Sequence, residues 1–403
     1  MTRGRWMTLA VGTAIVTTIA VCVSHRRAAL PKGAGRPARE GGLPIRNATT
    51  ARGDLEKTVA AMEERLARDA SDSAAAVALA DARLRQTRVT GNAGLAIRAE
   101  SALNAALASA ANDYNARRML AAVYLSQHRF ADAIREAQRC ARIRSDDAWV
   151  YGVLGDAHIE LGDYQDAFDA FDRMTALRPD AASYARASYA RELQGDLDGA
   201  LRLMQMAADA TAPQDPESLA WHHAQIGHLY LELGRVIDAR REYEHADFIF
   251  HDHPFAKEGL ARVEAARGNY RSALALVNEL LASSPTPAAA ALAGDLLEQL
   301  GRGDEAERQY RLAEAAWRVD APEPSRLARF LAMHGRQLDE AIRLADTSGR
   351  HDIFTDDALA WAYFRTGEID RARHAIRQAM RTGTRDRDIR AHANAIERVA
   401  SGS

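Results

Sequence analysis

The sequence predicts an all-α protein built from repeated pairs of helices. Of the 403 residues, 47% are hydrophobic but only 6% are aromatic. Alanine, leucine, arginine and glutamate, which favour helices, dominate the composition. No proline occurs between Pro44 and Pro179, so a long stretch contains no helix-breaking residue. Small and aromatic residues also recur about every 34 residues, which is typical of stacked helix pairs.

The N-terminal region differs from the rest of the chain. Residues 6–24 contain no charged side chain, and a helix of that length, at ~1.5 Å per residue, nearly spans a ~30 Å hydrocarbon core. We therefore expect an apolar helix in residues 1–24 that acts as a signal anchor or transmembrane segment. Residues 25–53 are rich in glycine, proline and arginine, and we expect them to form a disordered basic linker.

Three interpretations of the apolar segment remain open. A single-pass membrane anchor is favoured by its length and by the arginines that follow it directly. A cleaved signal peptide would give a periplasmic or secreted protein, although no clear A-x-A site follows. A lipoprotein modified at Cys22 is the third, although Val21 is bulky for such a site. The positive-inside count favours a cytoplasmic C-terminal region, whereas short basic N-terminal signals favour export, and export is slightly favoured here.

The clearest repeat unit spans residues 148–179 and reads AWVYGVLGDAHIELGDYQDAFDAFDRMTALRP. It contains, in order, Leu154-Gly155, Gly162-Asp163-Tyr164, Ala167, Phe171 and Pro179. This order resembles the tetratricopeptide repeat family, in which a leucine–glycine pair precedes an A-x3-F pattern and a proline. The pattern recurs in register along most of the chain. The closest resemblance is to bacterial, membrane-tethered members of the family.

The resemblance implies a right-handed α-solenoid of about nine helix pairs in residues 54–386, because one pair cannot bury its own apolar face. A capping helix and tail are expected in residues 387–403. Gly155 and Ala167 are small where the two helices of a unit cross, and Phe171 fills the space between units. The units are expected to start near Ser71, Tyr114, Ala148, Ala181, Ala220, Pro254, Pro287, Pro322 and Ile353.

The family also implies a binding surface. In its members, positions 2, 5, 9 and 12 of each first helix line a concave groove, and these spacings place them on one helical face. At these positions we expect a partner-binding groove for a protein or peptide, because aromatic anchors carry much of the binding energy of such surfaces. The alternative is that the aromatic residues only complete the core. The predicted groove residues are Trp149, Asp156, Tyr189, Trp221, His228, Phe255, Arg262, Phe354, Trp361 and Phe364.

The sequence contains no motif for catalysis or for a cofactor. It lacks a phosphate-binding glycine loop, H-E-x-x-H and G-x-S-x-G. Cys140 stands where the repeat has a small buried residue. Six of the 13 histidines lie between His222 and His253, but their helical register separates them, so we predict no metal site, no cofactor and no enzymatic activity.

Charge is divided unevenly along the chain. Residues 1–53 carry nine basic side chains and one acidic, a net +8, and the remaining 44 basic and 54 acidic side chains give −10. The basic part suits an anionic lipid surface, so membrane contact is expected through residues 6–24. The acidic part lacks the positive field that nucleic acid binding needs, so no nucleic acid partner is expected.

The predicted function is a non-enzymatic scaffold for protein–protein interaction, tethered to a membrane and assembling an envelope-associated complex. The alternative is a membrane-anchored regulatory adaptor that faces the cytoplasm and controls envelope assembly or proteolysis. Proteins of that second kind carry a C-terminal metal-binding cysteine module. This chain ends in DIRAHANAIERVASGS, without cysteine, which weakens that alternative.

Overall fold

The computed structural model describes residues 48–90, 92, 94–319 and 324–401, and the predicted segment 1–24 lies outside them. In the described residues the chain forms 20 α-helices and no strand. The helices are α1 (Ala48–Arg68), α2 (Ser73–Thr90), α3 (Gly94–Ser109), α4 (Tyr114–Ser126), α5 (Phe130–Ile143), α6 (Ala148–Leu161), α7 (Tyr164–Leu177), α8 (Ala181–Leu193), α9 (Leu197–Asp209), α10 (Pro216–Glu232), α11 (Val236–Ile249), α12 (Pro254–Ala266), α13 (Tyr270–Ser283), α14 (Pro287–Gln299), α15 (Gly303–Val319), α16 (Pro324–His334), α17 (Leu338–Thr347), α18 (Ile353–Thr366), α19 (Ile369–Ala379) and α20 (Arg387–Ala400).

Helices α2 to α19 form nine consecutive pairs, each an even-numbered first helix followed by an odd-numbered second helix. Each second helix also packs against the first helix of the next pair, so the pairs stack into an α-solenoid. At the ends, α1 packs on α2, and α20 packs on α18 and α19. The predicted solenoid of helix pairs is confirmed. Helix α1 begins at Ala48, which lies inside the segment predicted to be linker.

Aspartate side chains start many of these helices. In each case the carboxylate accepts a hydrogen bond from a backbone N–H two or three residues further along, which satisfies one of the free donors at a helix N-terminus. A cap of this kind contributes about 1 kcal/mol to stability. The capping residues of α4, α6, α8, α10, α18 and α20 are Asp113, Asp147, Asp180, Asp215, Asp352 and Asp386.

Close approach of the two helices in a unit depends on small residues. In the third unit, a Cβ atom on Gly155 would overlap the ring of Phe171, which is 1% exposed. Ala167 and Cys140 are fully buried, as the repeat pattern predicts. Burial raises the pKa of the Cys140 thiol to about 11, so the thiol stays protonated at neutral pH.

The predicted single-pass membrane localisation is corrected here. No helix among the described residues is long and apolar enough to cross a membrane. The longest, α1, has 21 residues but carries several charged side chains. Residues 6–24, from which the localisation was predicted, lie outside the described part of the chain.

Replacing Gly155 by alanine tests the close packing of a unit. We expect Gly155→Ala to lower the stability of the solenoid by about 1–3 kcal/mol, because the added methyl group overpacks the Phe171 ring. Gly303→Ala is the matched control, since its Cβ would have open space at the start of α15 and alanine favours helix. Thermal unfolding followed by circular dichroism measures both; equal midpoints for the two variants would contradict the expectation.

Candidate functional site

Hydrogen bonds join the loop before α18, and the first residue of α18, to the end of α6 and the start of α7. The N–H of His351 donates to the carbonyl of Leu161 at 3.2 Å, and the N–H of Ile353 donates to the Tyr164 hydroxyl at 2.8 Å. Tyr164 stands at the start of α7, 189 residues before Ile353. The last unit therefore lies against the third unit, and the solenoid closes on itself.

Ion pairs strengthen the same contact. The Arg350 guanidinium donates to the backbone carbonyl of Glu160 at 2.9 Å and pairs with the Glu160 carboxylate. The side chains of Arg350 and Glu160 are only 12% and 8% exposed, so water screens this pair weakly.

The Arg381 guanidinium also crosses to the third unit, where it lies 5.0 Å from the ring centre of Tyr164 and donates to the carbonyl of Gly162 at 3.5 Å. On its own side it is held by Asp356, at 2.6 Å, and by the carbonyl of His351.

Glycines allow the backbones to meet at two points. A Cβ on Gly162, in the turn between α6 and α7, would overlap the carbonyl of His351. A Cβ on Gly195, in the turn between α8 and α9, would overlap the carbonyl of Gly383. The turns of units three and four thus contact the loops on either side of unit nine. We call these contacts, from Glu160, Gly162, Tyr164 and Gly195 to residues 350–353, 381 and 383, the closure seam.

An apolar cluster lies next to the closure seam. It includes side chains of α6, α7 and α8 together with side chains of α18, α19 and α20. Ile353, Ile389 and Ile396 are fully buried in it, and Tyr164 and Tyr189 are each 8% exposed. Burying a large apolar side chain contributes about 1.5–3 kcal/mol. The seam therefore combines apolar burial with hydrogen bonds.

The structure places the ten predicted groove residues on first helices, but in two environments. Five are buried: Trp149, Asp156, Tyr189, Trp221 and His228. Five are partly exposed: Phe255, Arg262, Phe354, Trp361 and Phe364. Side chains of the same chain cover the five buried residues. Only the five partly exposed residues of the predicted groove are therefore accessible to a partner.

The two tryptophans at the ends of the predicted set make different contacts. The Arg118 guanidinium lies 4.1 Å from the ring centre of Trp149. Trp361 stacks on His392 of α20, with ring centres 4.0 Å apart. The Nδ1 atom of His392 lies 2.9 Å from a carboxylate oxygen of Asp357, which holds the imidazole ring in place. The capping helix thus covers one face of Trp361.

Other polar members are paired with neighbours. Arg186 of α8 donates to both carboxylate oxygens of Asp156, at distances of 2.7 to 3.1 Å, and both side chains are buried. The Arg262 guanidinium donates to Glu258 on its own helix at 2.7 Å. The Asp156–Arg186 pair therefore joins α6 to α8, whereas the Arg262–Glu258 pair lies within α12.

A cavity of about 70 Å³ lies between the third and fourth units on one side and the last two units on the other. Tyr189 and Phe354, two of the predicted groove residues, line it together with Arg326, Arg329 and Arg350. The Arg329 guanidinium lies 4.9 Å from the ring centre of Phe354. A volume of this size holds several waters or one partner side chain. The cavity depends on closure, because its walls come from both sides of the closure seam.

Ionisable groups of the inner surface are perturbed by burial. Burial lowers the pKa of His228, but Glu192, whose carboxylate lies 3.0 Å from its Nε2 atom, outweighs this and raises the pKa to about 8. Burial raises the pKa of Glu232 to about 7, and the nearby charge of Asp386 adds to the effect. Burial likewise raises the pKa of Asp388 to about 6. Asp386 and Asp388 belong to the start of α20, so closure brings them towards Glu232.

The histidines between residues 222 and 253 do not form one cluster. His222 is buried, its Nδ1–H donates to the Thr211 hydroxyl at 3.0 Å, and burial lowers its pKa to about 4. His223 lies on another side of α10, where its Nδ1 is 2.7 Å from a carboxylate oxygen of Glu242. His245 lies beside His223, a proximity that the helical register did not predict.

Comparison with known families fits this architecture. Family models described as tetratricopeptide repeat match residues 124–191 and 258–321. These ranges cover helix pairs in the second to fourth units and in the sixth and seventh units. The chain contains tetratricopeptide repeats. A comparison with curated protein sequences finds no match.

Solved structures with a similar fold include other tetratricopeptide proteins. A chain of the APC/C Cut9–Hcn1 hetero-tetramer superposes with a TM-score of 0.51 at 12% identity, over 85% of this chain and 59% of that chain. The human IFIT1 dimer with m7Gppp-AAAA gives 0.51 at 16% identity, over 83% and 78%. A Parabacteroides merdae tetratricopeptide repeat protein gives 0.45 at 13% identity, over 66% and 93%. At these identities the likeness shows the fold alone.

Tetratricopeptide repeats generally bind protein or peptide partners, which supports a repeat scaffold for protein interaction. Neither these matches nor the described residues support the predicted membrane tether or envelope role.

Replacing Gly162 by alanine tests the closure seam. Gly162 has a φ of 85° and Gly367, in the corresponding turn of the last unit, has a φ of 87°. Alanine in either position costs about 1–2 kcal/mol of backbone energy, but only at Gly162 would the Cβ meet the facing loop. We expect Gly162→Ala, and not Gly367→Ala, to increase the radius of gyration in small-angle X-ray scattering. Equal radii for the two variants would count against the seam.

The raised pKa of Glu232 makes the free energy of unfolding depend on pH, and the sign of this dependence can be predicted. The pKa of Glu232 (about 7) and that of His228 (about 8) both exceed their ordinary values, so the folded state binds more protons than the unfolded state. The contribution of each of these two groups to stability is therefore fully present below its ordinary pKa and is lost as pH rises through its folded value. We expect Glu232→Gln to reduce the loss of stability between about pH 5 and about pH 8 by on the order of 2 kcal/mol, because the carboxyl group loses its stabilising proton across this range. The thermal midpoint at the two pH values measures this, with His251→Gln, 76% exposed, as control; an unchanged loss in Glu232→Gln would refute it.

Proposed function

We propose that this protein is a non-enzymatic scaffold that binds a peptide segment of a partner protein at the cavity between its third and fourth units and its last two units. One observation supports this location best. Two aromatic residues at predicted groove positions, Tyr189 and Phe354, come from units far apart in sequence and line the same cavity. Aromatic side chains at the centre of a partly enclosed pocket are the usual anchors of a binding surface.

The charge of the cavity indicates the chemistry of the peptide. Three arginines line it against two acidic residues, Glu160 and Asp352, which leaves a net charge of 3 − 2 = +1. Arg350 pairs with both of these carboxylates. Arg326 and Arg329 lie on the other wall, on α16, and the Nη2 atom of Arg329 has no hydrogen-bond partner. A carboxylate or carbonyl oxygen of the partner would suit this wall.

The size of the cavity limits how the peptide binds. A volume of about 70 Å³ admits one side chain. The rest of the peptide would lie outside, across the partly exposed faces of Phe354 and Arg326. We therefore propose a segment in which an apolar or aromatic side chain, the anchor, stands next to an acidic residue.

Peptide selection followed by substitution tests the proposal. Random peptides displayed on phage are selected on the wild-type protein, and the affinity of the enriched peptides is then measured for variants. We expect Phe354→Ala and Arg329→Gln to weaken binding at least about tenfold, a loss of about 1.4 kcal/mol or more. The enriched peptides should share an aromatic or aliphatic residue beside Asp or Glu.

Phe248→Ala is the matched control, because Phe248 is a phenylalanine that is 71% exposed on α11. Its removal should leave peptide affinity unchanged. Circular dichroism of each variant establishes that the fold is intact. Peptides that lose affinity for Phe248→Ala but bind Phe354→Ala normally would place the binding surface on α11 and refute the cavity.

A further inference from the structure

Three potential metal ligands meet between the two helices of the fifth unit. His223 comes from α10, and Glu242 and His245 come from α11. The three ligand atoms all lie within 4.8 Å of one another. The rings of His223 and His245 have centres 4.2 Å apart, and the His223 Nδ1 atom is 2.7 Å from a carboxylate oxygen of Glu242. The arrangement lies outside the cavity and the closure seam.

The helix geometry explains why these residues meet. Glu242 and His245 are three residues apart, so their side chains lie on the same face of α11. That face is turned towards α10, which packs against α11 along its length. A hydrogen bond between His223 and Glu242 would satisfy both of those groups. The second imidazole, from His245, is an additional ligand that this hydrogen bond does not require.

The donor set matches zinc chemistry. Two imidazoles and one carboxylate form the protein part of a four-coordinate zinc site whose fourth position holds water. Tetrahedral bonds of about 2.0–2.1 Å place ligand atoms about 3.3 Å apart. The separations between these ligand atoms, all within 4.8 Å, would need to shorten by no more than about 1.5 Å, a change that a side-chain rotation supplies. The exposed side chain of His245 is free to make that rotation within the surface of α11.

We propose that His223, Glu242 and His245 form a Zn²⁺ site that joins α10 to α11 and leaves a fourth coordination position open to solvent. The ion would link the two helices of the fifth unit, which follows the segment 210–215 between α9 and α10. Since a metal that binds only the folded state stabilises it, the fifth unit gains stability when zinc is present.

Titration of the full chain with zinc alone tests this site. Protein without an affinity tag is treated with a chelator, dialysed, and titrated with Zn²⁺ by calorimetry. We expect one ion per chain, bound at least about tenfold more weakly by His245→Ala and by Glu242→Gln. His245 is exposed, so its removal leaves the core intact. His251→Ala is the matched control, because His251 is an exposed histidine close to the end of α11 and should not alter binding.

A second measurement separates a built site from loose surface binding. Co²⁺ in place of zinc should give the intense visible absorption of tetrahedral coordination in wild-type protein and not in His245→Ala. Zinc should also raise the thermal midpoint of the wild type and of His251→Ala only. Equal zinc affinity in all variants, or no stoichiometric binding at all, would overturn the proposal. Because the peptide test changes Phe354 and Arg329 and the zinc test changes His245 and Glu242, failure of either proposal leaves the other intact.

Discussion

Closure of the solenoid depends on the curvature of the whole stack. Tyr164 and Ile353 are 189 residues apart, yet the Ile353 N–H lies within hydrogen-bond distance of the Tyr164 hydroxyl. In a solenoid each unit contacts mainly its neighbours, and the small rotations between neighbours add along the stack. The closure seam therefore forms only when the summed rotation of units three to nine brings these two atoms together. A packing change in any intermediate unit is transmitted to the seam as a displacement.

Closure also determines the environment of the inner surface. An open stack would leave the carboxylate of Glu232 in contact with water, where it ionises readily. In the closed chain Asp386, at the start of α20, lies near Glu232 at the end of α10, and burial raises the pKa of Glu232 to about 7. The apolar cluster beside the seam provides the favourable free energy that offsets this burial. The free energy of closure therefore includes both the gain from apolar burial and the cost of burying a carboxylate.

The helix pairs could be predicted from the sequence because their determinants are local. Gly155 and Phe171 mark a close crossing in the sequence, and the structure places them in contact. Capping aspartates such as Asp147 and Asp180 are equally local signals that could have set the helix starts more closely. The closure seam has no such signal. Arg350 lies in a loop outside the repeat pattern, and its partner Glu160 is 190 positions earlier.

The same limit applies to the candidate sites. The repeat pattern placed Tyr189, Phe354 and Trp361 on first helices, but which faces stay accessible depends on contacts from α20 and across the seam. Trp361 is covered by His392, which no repeat position specifies. For the histidines, the helical register of α10 shows that His222 and His223 point in different directions. It does not predict which side chains of α11 face His223. The three-residue spacing from Glu242 to His245 was the signal that could have identified that face.

Binding at the cavity and closure are thermodynamically linked under the proposed function. The walls of the cavity come from the third and fourth units on one side and from the eighth and ninth on the other. A peptide that contacts both Tyr189 and Phe354 has its full affinity only for the closed chain, so it shifts the equilibrium towards closure by that difference in affinity. Protonation of Glu232 acts in the same direction, because its ionised form is the one that burial beside α20 disfavours. Peptide affinity and proton affinity are therefore coupled through a single conformational change, although Glu232 does not line the cavity.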